Sequence, residues 1–384
     1  MKICILHCGH PKTGTSSLQR YLATNSARLA AAGVYYPVLE RPEGAPPALP
    51  WVGYHQGPAL KWLARRKSAN KPRTQFDQLT RLIAGTPHEV LLLSAEFLFA
   101  ALFYQGKERI WTHLQEQGYR IETITYLRDQ PERLNSAYAQ QCKTAHCDVD
   151  FDAFCGKRFG AGGAEGATNQ AEEDEDGDAG SLDYQRLIDG AQHGWGRHHF
   201  RPFSAEVRQR GIETDFLAVL REVLAASGTA PGLDEAAVAG LERPERVNDS
   251  DGVVLVAICR LLAARMRKAF GERKNPQSLR RLAYESASAA IARLGIDDPK
   301  YSALTPERVA RIRGHFAAGN DRFAGAVWGR SWAEIFPAPD PARLMSTDLD
   351  ESGDSALRAK YEAALAETLR VFNPALQEFR EKQR

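Results

Sequence analysis

The sequence predicts an α/β fold: a parallel sheet flanked by helices, followed by a largely helical C-terminal part. Two observations carry that expectation. Apolar runs at 3–8 and 90–93, and a third strand pattern at 121–127, read as strands buried on both faces, as in a parallel sheet. Between them lie stripes at helical spacing, which makes the order β-α-β-α-β and points to βαβ units.

Each element has its own signal. The first strand runs into Leu18, Tyr21, Leu22 and Leu29, an apolar stripe of a helix that stops near Gly33. Residues 41–58 are dense in Pro and Gly and read as a loop or lid, and it contains Trp51, Tyr54 and His55. A basic run follows over 61–73. Phe76, Leu79, Leu82 and Ile83 mark a second helix, closed by Gly85-Thr86-Pro87. Ile110, Trp111 and Leu114 mark a third, which stops near Gly118. Residues 160–180 are rich in Gly and Ala and then acidic, the composition of a mobile loop. Phe200-Arg201-Pro202-Phe203 closes a fourth, shorter strand. Beyond it, 212–224, 253–270 and 357–372 carry helical periodicity.

Composition bounds the function. With 384 residues and a formal net charge of +2, the total gives no argument for a nucleic-acid partner. No stretch approaches the ~18–20 consecutive apolar residues of a membrane span. The first strand begins at Lys2, which leaves no room for a signal peptide ahead of it, so the expected compartment is the cytoplasm. The six cysteines are then expected as free thiols. Cys142, His146, Cys147 and Cys155 match no common zinc spacing, and no metal site is expected.

The chemistry concentrates in His10-Pro11-Lys12-Thr13-Gly14-Thr15-Ser16-Ser17, between the first strand and the first helix. A strand, a tight Gly-containing loop and a helix start aim free backbone N–H groups and the positive end of the helix dipole at one spot, where phosphate binds. Thr13, Thr15, Ser16 and Ser17 add hydroxyls, and Lys12 adds a full charge. From Gly9 the pattern G-x-x-x-x-G is met at Gly14, but Thr15 stands where a Walker loop has its lysine. A second segment, Arg128-Asp129-Gln130-Pro131, carries helix-start signals after the third strand, with Ser136 about one and a half turns into the helix. An arginine fork and a hydroxyl beside a helix N-terminus suit a phosphate dianion. Lys12, Glu96 and Arg128 each stand just past a strand's carboxyl end, where open parallel sheets bind ligands.

Pro11-Lys12-Thr13-Gly14-Thr15-Ser16 resembles the 5′-phosphosulfate loop of sulfotransferases, which use 3′-phosphoadenosine 5′-phosphosulfate (PAPS) as donor. Arg128 with Ser136 eight residues later resembles that family's 3′-phosphate segment. Leu93-Ser94-Ala95-Glu96-Phe97-Leu98, Tyr126-Leu127-Arg128-Asp129-Gln130, Arg201-Pro202-Phe203 and, more loosely, Asn248-Asp249-Ser250 are similar to bacterial members. The likeness is good over 2–142, patchy over 195–325, and absent from 160–180 and the last fifty residues. It implies a P-loop-type fold, PAPS as donor, no catalytic metal, and a hydroxyl acceptor such as a saccharide, glycolipid or small alcohol. The expected organisation is an α/β domain over 1–340, with the mobile acidic loop at 160–180, and a C-terminal helical extension over 341–384. Peripheral contact with a membrane surface is compatible with the basic run at 61–73.

Under that resemblance, Lys12 and the amides of Gly14 to Ser16 hold the 5′-phosphosulfate, and Lys12 stabilises the leaving oxygen. The acceptor hydroxyl needs a base. Glu96, where carbohydrate enzymes of the family place a glutamate, is preferred. His55, in the loop after the first helix, competes with it and has the better unperturbed pKa. Two other functions stay open at this stage: a P-loop kinase or NTPase, with Glu96 or Asp129 as its magnesium ligand, and a non-catalytic nucleotide-binding protein.

Overall fold

The computed structural model describes residues 2–10, 12–40, 60, 74–96, 98–99, 109–160, 182–191, 196–229, 232–243, 252–271 and 275–382. His55, the basic run at 61–73, the acidic stretch at 161–180 and Asn248-Asp249-Ser250 lie outside them. In chain order the elements are β1 (Lys2–Cys8), α1 (Thr15–Thr24), α2 (Ser26–Ala31), β2 (Val34–Tyr35), α3 (Thr74–Gly85), β3 (Val90–Ala95), α4 (Arg109–Glu116), β4 (Tyr119–Leu127), α5 (Gln130–Lys143), α6 (Phe151–Gly160), α7 (Gln185–Ala191), β5 (Arg197–Pro202), α8 (Ala205–Arg210) and α9 (Ile212–Ala226). Then follow α10 (Glu235–Ala239), α11 (Val253–Phe270), α12 (Gln277–Arg293), α13 (Pro306–Trp328), α14 (Trp332–Ile335) and α15 (Ser355–Lys382).

The strands form one parallel sheet in the order β2-β3-β1-β4-β5. The α/β class read from the apolar runs is therefore the fold observed. β1 lies in the middle, paired from Ile3↔Val90 to Cys8↔Ala95 on one side and from Lys2↔Tyr119 to His7↔Ile124 on the other. Its alternate residues enter two cores, which is why the run is apolar apart from His7. Ile3 and Ile5 join Leu18, Leu22, Leu92, Phe216 and Leu220 on one face. Cys4, Leu6 and Cys8 join Leu93, Trp111, Leu114, Phe323 and Trp332 on the other.

The chain's contacts divide it into two interleaved units. Met1–Asp129, Ser181–Val247 and Ala318–Pro337 form the first, which holds the whole sheet. Gln130–Gly180, Asn248–Ala317 and Ala338–Arg384 form the second, among whose described elements are the helices α5, α6, α11, α12 and α15. In the second unit Arg260 on α11 donates to Tyr138 Oη (2.8 Å), Asp348 Oδ2 (3.0 Å) and Asp350 Oδ2 (2.7 Å).

Two expectations need correction in detail, and a third gains its full extent. The stripe from Leu18 to Leu29 is two helices, not one. The Asn25 amide donates to the Tyr21 and Glu242 carbonyls (both 2.9 Å) and accepts from Glu242 N (2.8 Å), which competes with the helical ladder at that point. The strand that Phe200-Arg201-Pro202-Phe203 is expected to close runs over Arg197–Pro202, paired with Glu122 to Leu127 of β4. The C-terminal helix runs past Phe372 and through Pro374 to Lys382; beyond the proline, Phe379 meets Phe270 at 5.6 Å between ring centroids.

Candidate phosphate-binding site

The carboxyl ends of β1, β3 and β4 are neighbours in the sheet, so the segments that follow them gather at one edge. After β1, Gly9 N donates to the Ala95 carbonyl (3.3 Å) and continues the pairing with β3. Only glycine fits here. A Cβ at this position would lie 2.3 Å from Thr15 Oγ1, so the loop folds its own hydroxyl over the end of the strand. Thr13 Oγ1 donates to the His10 carbonyl (2.6 Å) and closes the turn. Lys12 (φ 70°) and Gly14 (φ 79°) both adopt the left-handed conformation. For glycine this costs nothing, whereas for Lys12 it is an uncommon state that the surroundings must hold.

Helix α1 starts at Thr15 with Gly14 as its N-cap, without a side-chain cap and without an acidic residue in the first turn. Its leading N–H groups and dipole are thus left to whatever binds at the loop. Thr15 is 1% exposed, and its hydroxyl has no hydrogen-bond partner among the described residues. A buried hydroxyl without a partner among the described residues is costly to the fold. Ser16 and Ser17 are exposed. Lys12 is half-buried.

Arg128 comes to this loop from the end of β4. Its Nη1 donates to the Lys12 carbonyl at 2.9 Å. Its guanidinium carbon lies 6.0 Å from the centre of the Phe203 ring, and its own carbonyl accepts from Tyr184 Oη at 2.7 Å. Phe203 in turn donates its N–H to the Leu127 carbonyl (2.6 Å), and its ring edge stands 3.5 Å from where a Cβ on Gly14 would be. Behind this ring, Asp215 accepts from Tyr126 Oη (2.7 Å) and Arg201 Nη2 (2.8 Å). Burial, then the Asp215 carboxylate, raise the Tyr126 phenol well above its ordinary pKa, so it stays a donor. Asp129 is buried and accepts from Trp332 Nε1 at 3.0 Å, which commits the carboxylate to packing.

Glu96 follows β3 directly, opposite the start of the loop, since Ala95 is the register partner of Cys8. Its side chain is exposed, and its carbonyl accepts from Phe99 N at 3.0 Å. Two residues earlier, Ser94 is gripped twice: its hydroxyl pairs with His7 Nδ1 (2.8 Å), and its carbonyl accepts from Gln19 Nε2 of α1 (3.0 Å). Burial lowers the His7 pKa to about 3, so this imidazole is neutral at any working pH.

Lys12, Thr13, Gly14, Thr15, Ser16, Ser17, Glu96 and Arg128 therefore belong to one unit and one sheet edge. Ser136 is half-buried in the second turn of α5, within the second unit. Sequence reasoning gave no role to Gln19, His7, Tyr184 and Phe203, which bond or pack against the segments around the loop. Phe203 left a signal within Arg201-Pro202-Phe203, and His7 left one as a polar residue inside an apolar strand. Cys142, Cys147 and Cys155 are buried free thiols, while His146 Nδ1 pairs with Thr144 Oγ1 (2.8 Å). Among the described residues no His/Cys/Asp/Glu group fits a metal ion, and no helix is long and apolar enough to cross a membrane.

No family model and no curated protein matches the chain. Among solved structures, it is similar to a sulfotransferase from Alicyclobacillus acidocaldarius, with a TM-score of 0.43 and 13% identity over 87% of this chain and 99% of that one.

Proposed function

We propose that the protein is a sulfotransferase that moves a sulfuryl group from PAPS to a hydroxyl acceptor, a saccharide or glycolipid, by in-line transfer without a metal. The observation that carries this reading is the loop at Lys12. It combines an uncapped helix N-terminus, a buried unpaired Thr15 hydroxyl and two left-handed residues, with a second cation, Arg128, bonded to it from the adjacent strand.

The donor's 5′-phosphosulfate fits this cradle: Thr15 Oγ1 and the first amides of α1 donate to phosphate oxygens, and the Lys12 ammonium neutralises charge on the oxygen that leaves. Arg128 reads the 3′-phosphate. Glu96 takes the proton of the acceptor hydroxyl as that oxygen bonds to sulfur. The sulfur–oxygen bond to the nucleotide breaks, and 3′-phosphoadenosine 5′-phosphate departs with the electron pair. The basic run at 61–73 favours an acceptor carrying negative charge.

Calorimetry with 3′-phosphoadenosine 5′-phosphate and AMP tests the reading, because an ordinary ATP-using enzyme has no reason to read a 3′-phosphate. One charge-assisted contact contributes about 1.5–3 kcal/mol, or roughly 10- to 150-fold. The bisphosphate is expected to bind at least tenfold tighter, in excess chelator as in its absence. Equal affinities, or a strict need for magnesium, would overturn it.

A further inference from the structure

We infer that Arg128 is a positioning residue for the 5′-phosphate loop, in addition to reading a 3′-phosphate; the inference rests on the donor assignment above. The sequence places Arg128 at a separate subsite. The structure gives it a second task, because its Nη1–H holds the carbonyl of Lys12.

The carbonyl of Lys12 and the N–H of Thr13 belong to one planar peptide unit and point in opposite directions. Fixing the one therefore fixes the other, which is a donor of the loop. The bond also closes the ψ rotation of a residue whose φ of 70° is already unfavourable for a side-chain-bearing amino acid. Left alone, Lys12 relaxes toward the common regions, and the direction in which its side chain leaves the backbone changes with it. The latch is itself rigid. Arg128 is held by its carbonyl through Tyr184 Oη, and its guanidinium lies by Phe203, the ring that also packs against Gly14. One aromatic ring thus supports both the latch and the loop it closes. A planar five-donor guanidinium is able to serve a carbonyl on one edge and a phosphate on another, whereas an ammonium is a single point donor.

The consequence is that the two phosphate subsites are not independent. Losing Arg128 costs affinity for a ligand that has no 3′-phosphate at all.

The test measures AMP and 3′-phosphoadenosine 5′-phosphate binding by calorimetry on the wild type, Arg128→Ala, Arg128→Lys, Lys12→Ala and the double variant Lys12→Ala/Arg128→Ala. AMP affinity is expected to fall roughly 10-fold in both Arg128 variants, the size of one lost hydrogen bond from a charged donor. Arg128→Lys keeps the charge, so a loss shared by both variants reads the latch and not the local potential. In the Lys12→Ala background the further loss on removing Arg128 is expected to shrink to less than about twofold, because the latch acts by aiming that side chain. If Arg128→Ala leaves AMP binding unchanged while the bisphosphate is weakened, the inference falls and the sulfotransferase reading stands. If Arg128→Lys binds AMP like the wild type, charge alone explains the effect and the inference again falls. If the wild type binds both nucleotides equally, the donor assignment falls, while the AMP arm still decides the latch. A wild type that binds neither removes both.

Discussion

Arg128 and Arg260 are both held firmly, and by opposite means. Arg260 sits in the second unit with its side chain 14% exposed and gives its fork to two carboxylates and a phenol. Tyr301 adds its own hydroxyl to Asp348 at 2.8 Å. Charge is answered there by charge, and the ensemble ties together residues as distant in sequence as Tyr138 and Asp350. Arg128 instead donates to a main-chain carbonyl and lies by an aromatic face. A carbonyl and a ring hold a guanidinium through the backbone and through packing, whereas carboxylates hold it through charge. The Arg260 arrangement builds a charge network inside the second unit, and the Arg128 arrangement ties the end of β4 to the loop after β1.

Four measurements put that contrast to the test. The largest effect is expected at the sheet edge and on rate alone. Glu96→Gln should lower turnover by about 10²–10⁴-fold, the usual contribution of a general base, with nucleotide affinity and melting temperature unchanged. If this exposed residue proves to be needed for folding, the edge is structural like the Arg260 network and the contrast is broken. If Glu96→Gln keeps near-normal turnover and His55→Ala does not, the base is His55.

Next in size is Arg260→Ala. It leaves the Asp348 carboxylate buried without its cation, and breaking such a pair costs about 3–5 kcal/mol. Denaturant unfolding should register that loss in full. The same substitution at Arg128 is expected to cost far less stability, and an equal loss at both positions would erase the distinction.

Thr15→Val keeps shape and removes a buried hydroxyl that has no partner among the described residues. The free protein should gain about 1 kcal/mol of stability while affinity for 3′-phosphoadenosine 5′-phosphate falls roughly 3- to 10-fold. The two changes have opposite signs. A loss in both would show that the hydroxyl is already satisfied within the fold.

The smallest effect is acid sensitivity in the second unit. Burial pushes the Asp348 carboxyl up, but the Arg260 guanidinium, the Asp350 amide and the Tyr301 hydroxyl outweigh it and hold the pKa below the usual value. A depressed folded-state pKa means that the unfolded chain takes up the proton first. The stabilisation is therefore complete above the ordinary aspartate pKa of about 3.9 and is lost as the pH falls below it. Asp348→Asn should flatten the pH dependence of unfolding in that acid range, and an unchanged slope would put the titration elsewhere.

Much of the fold was legible because its signals are local. The buried strands needed only their apolar runs, and α11 spans Val253–Phe270 as its periodicity predicts. The strand-end positions of Lys12, Glu96 and Arg128 were legible for the same reason. What holds them was not. The break at Asn25 depends on Glu242, more than two hundred residues away. The platform under the loop depends on Phe203, and the grip on β3 joins Gln19 to Ser94. Such pairings have no period or spacing in the sequence. The interleaving of the two units is also invisible there, since each is built from three separate segments. His55, the runner-up base, lies outside the described residues.

The strand order has a consequence for how the protein comes into being. β1 pairs with β3 and β4, and Ile3 meets Val90 while Lys2 meets Tyr119, so the edge that carries Lys12, Glu96 and Arg128 is assembled from segments about a hundred residues apart. Parallel pairings at such separation are slow, because loop closure must be completed before the contacts repay it. No local fragment contains the site. The loop after β1 and Arg128 meet only when β4 has docked against β1. Under the proposed donor assignment, nucleotide binding is expected to appear only after that pairing has formed, which makes the ligand a reporter of it.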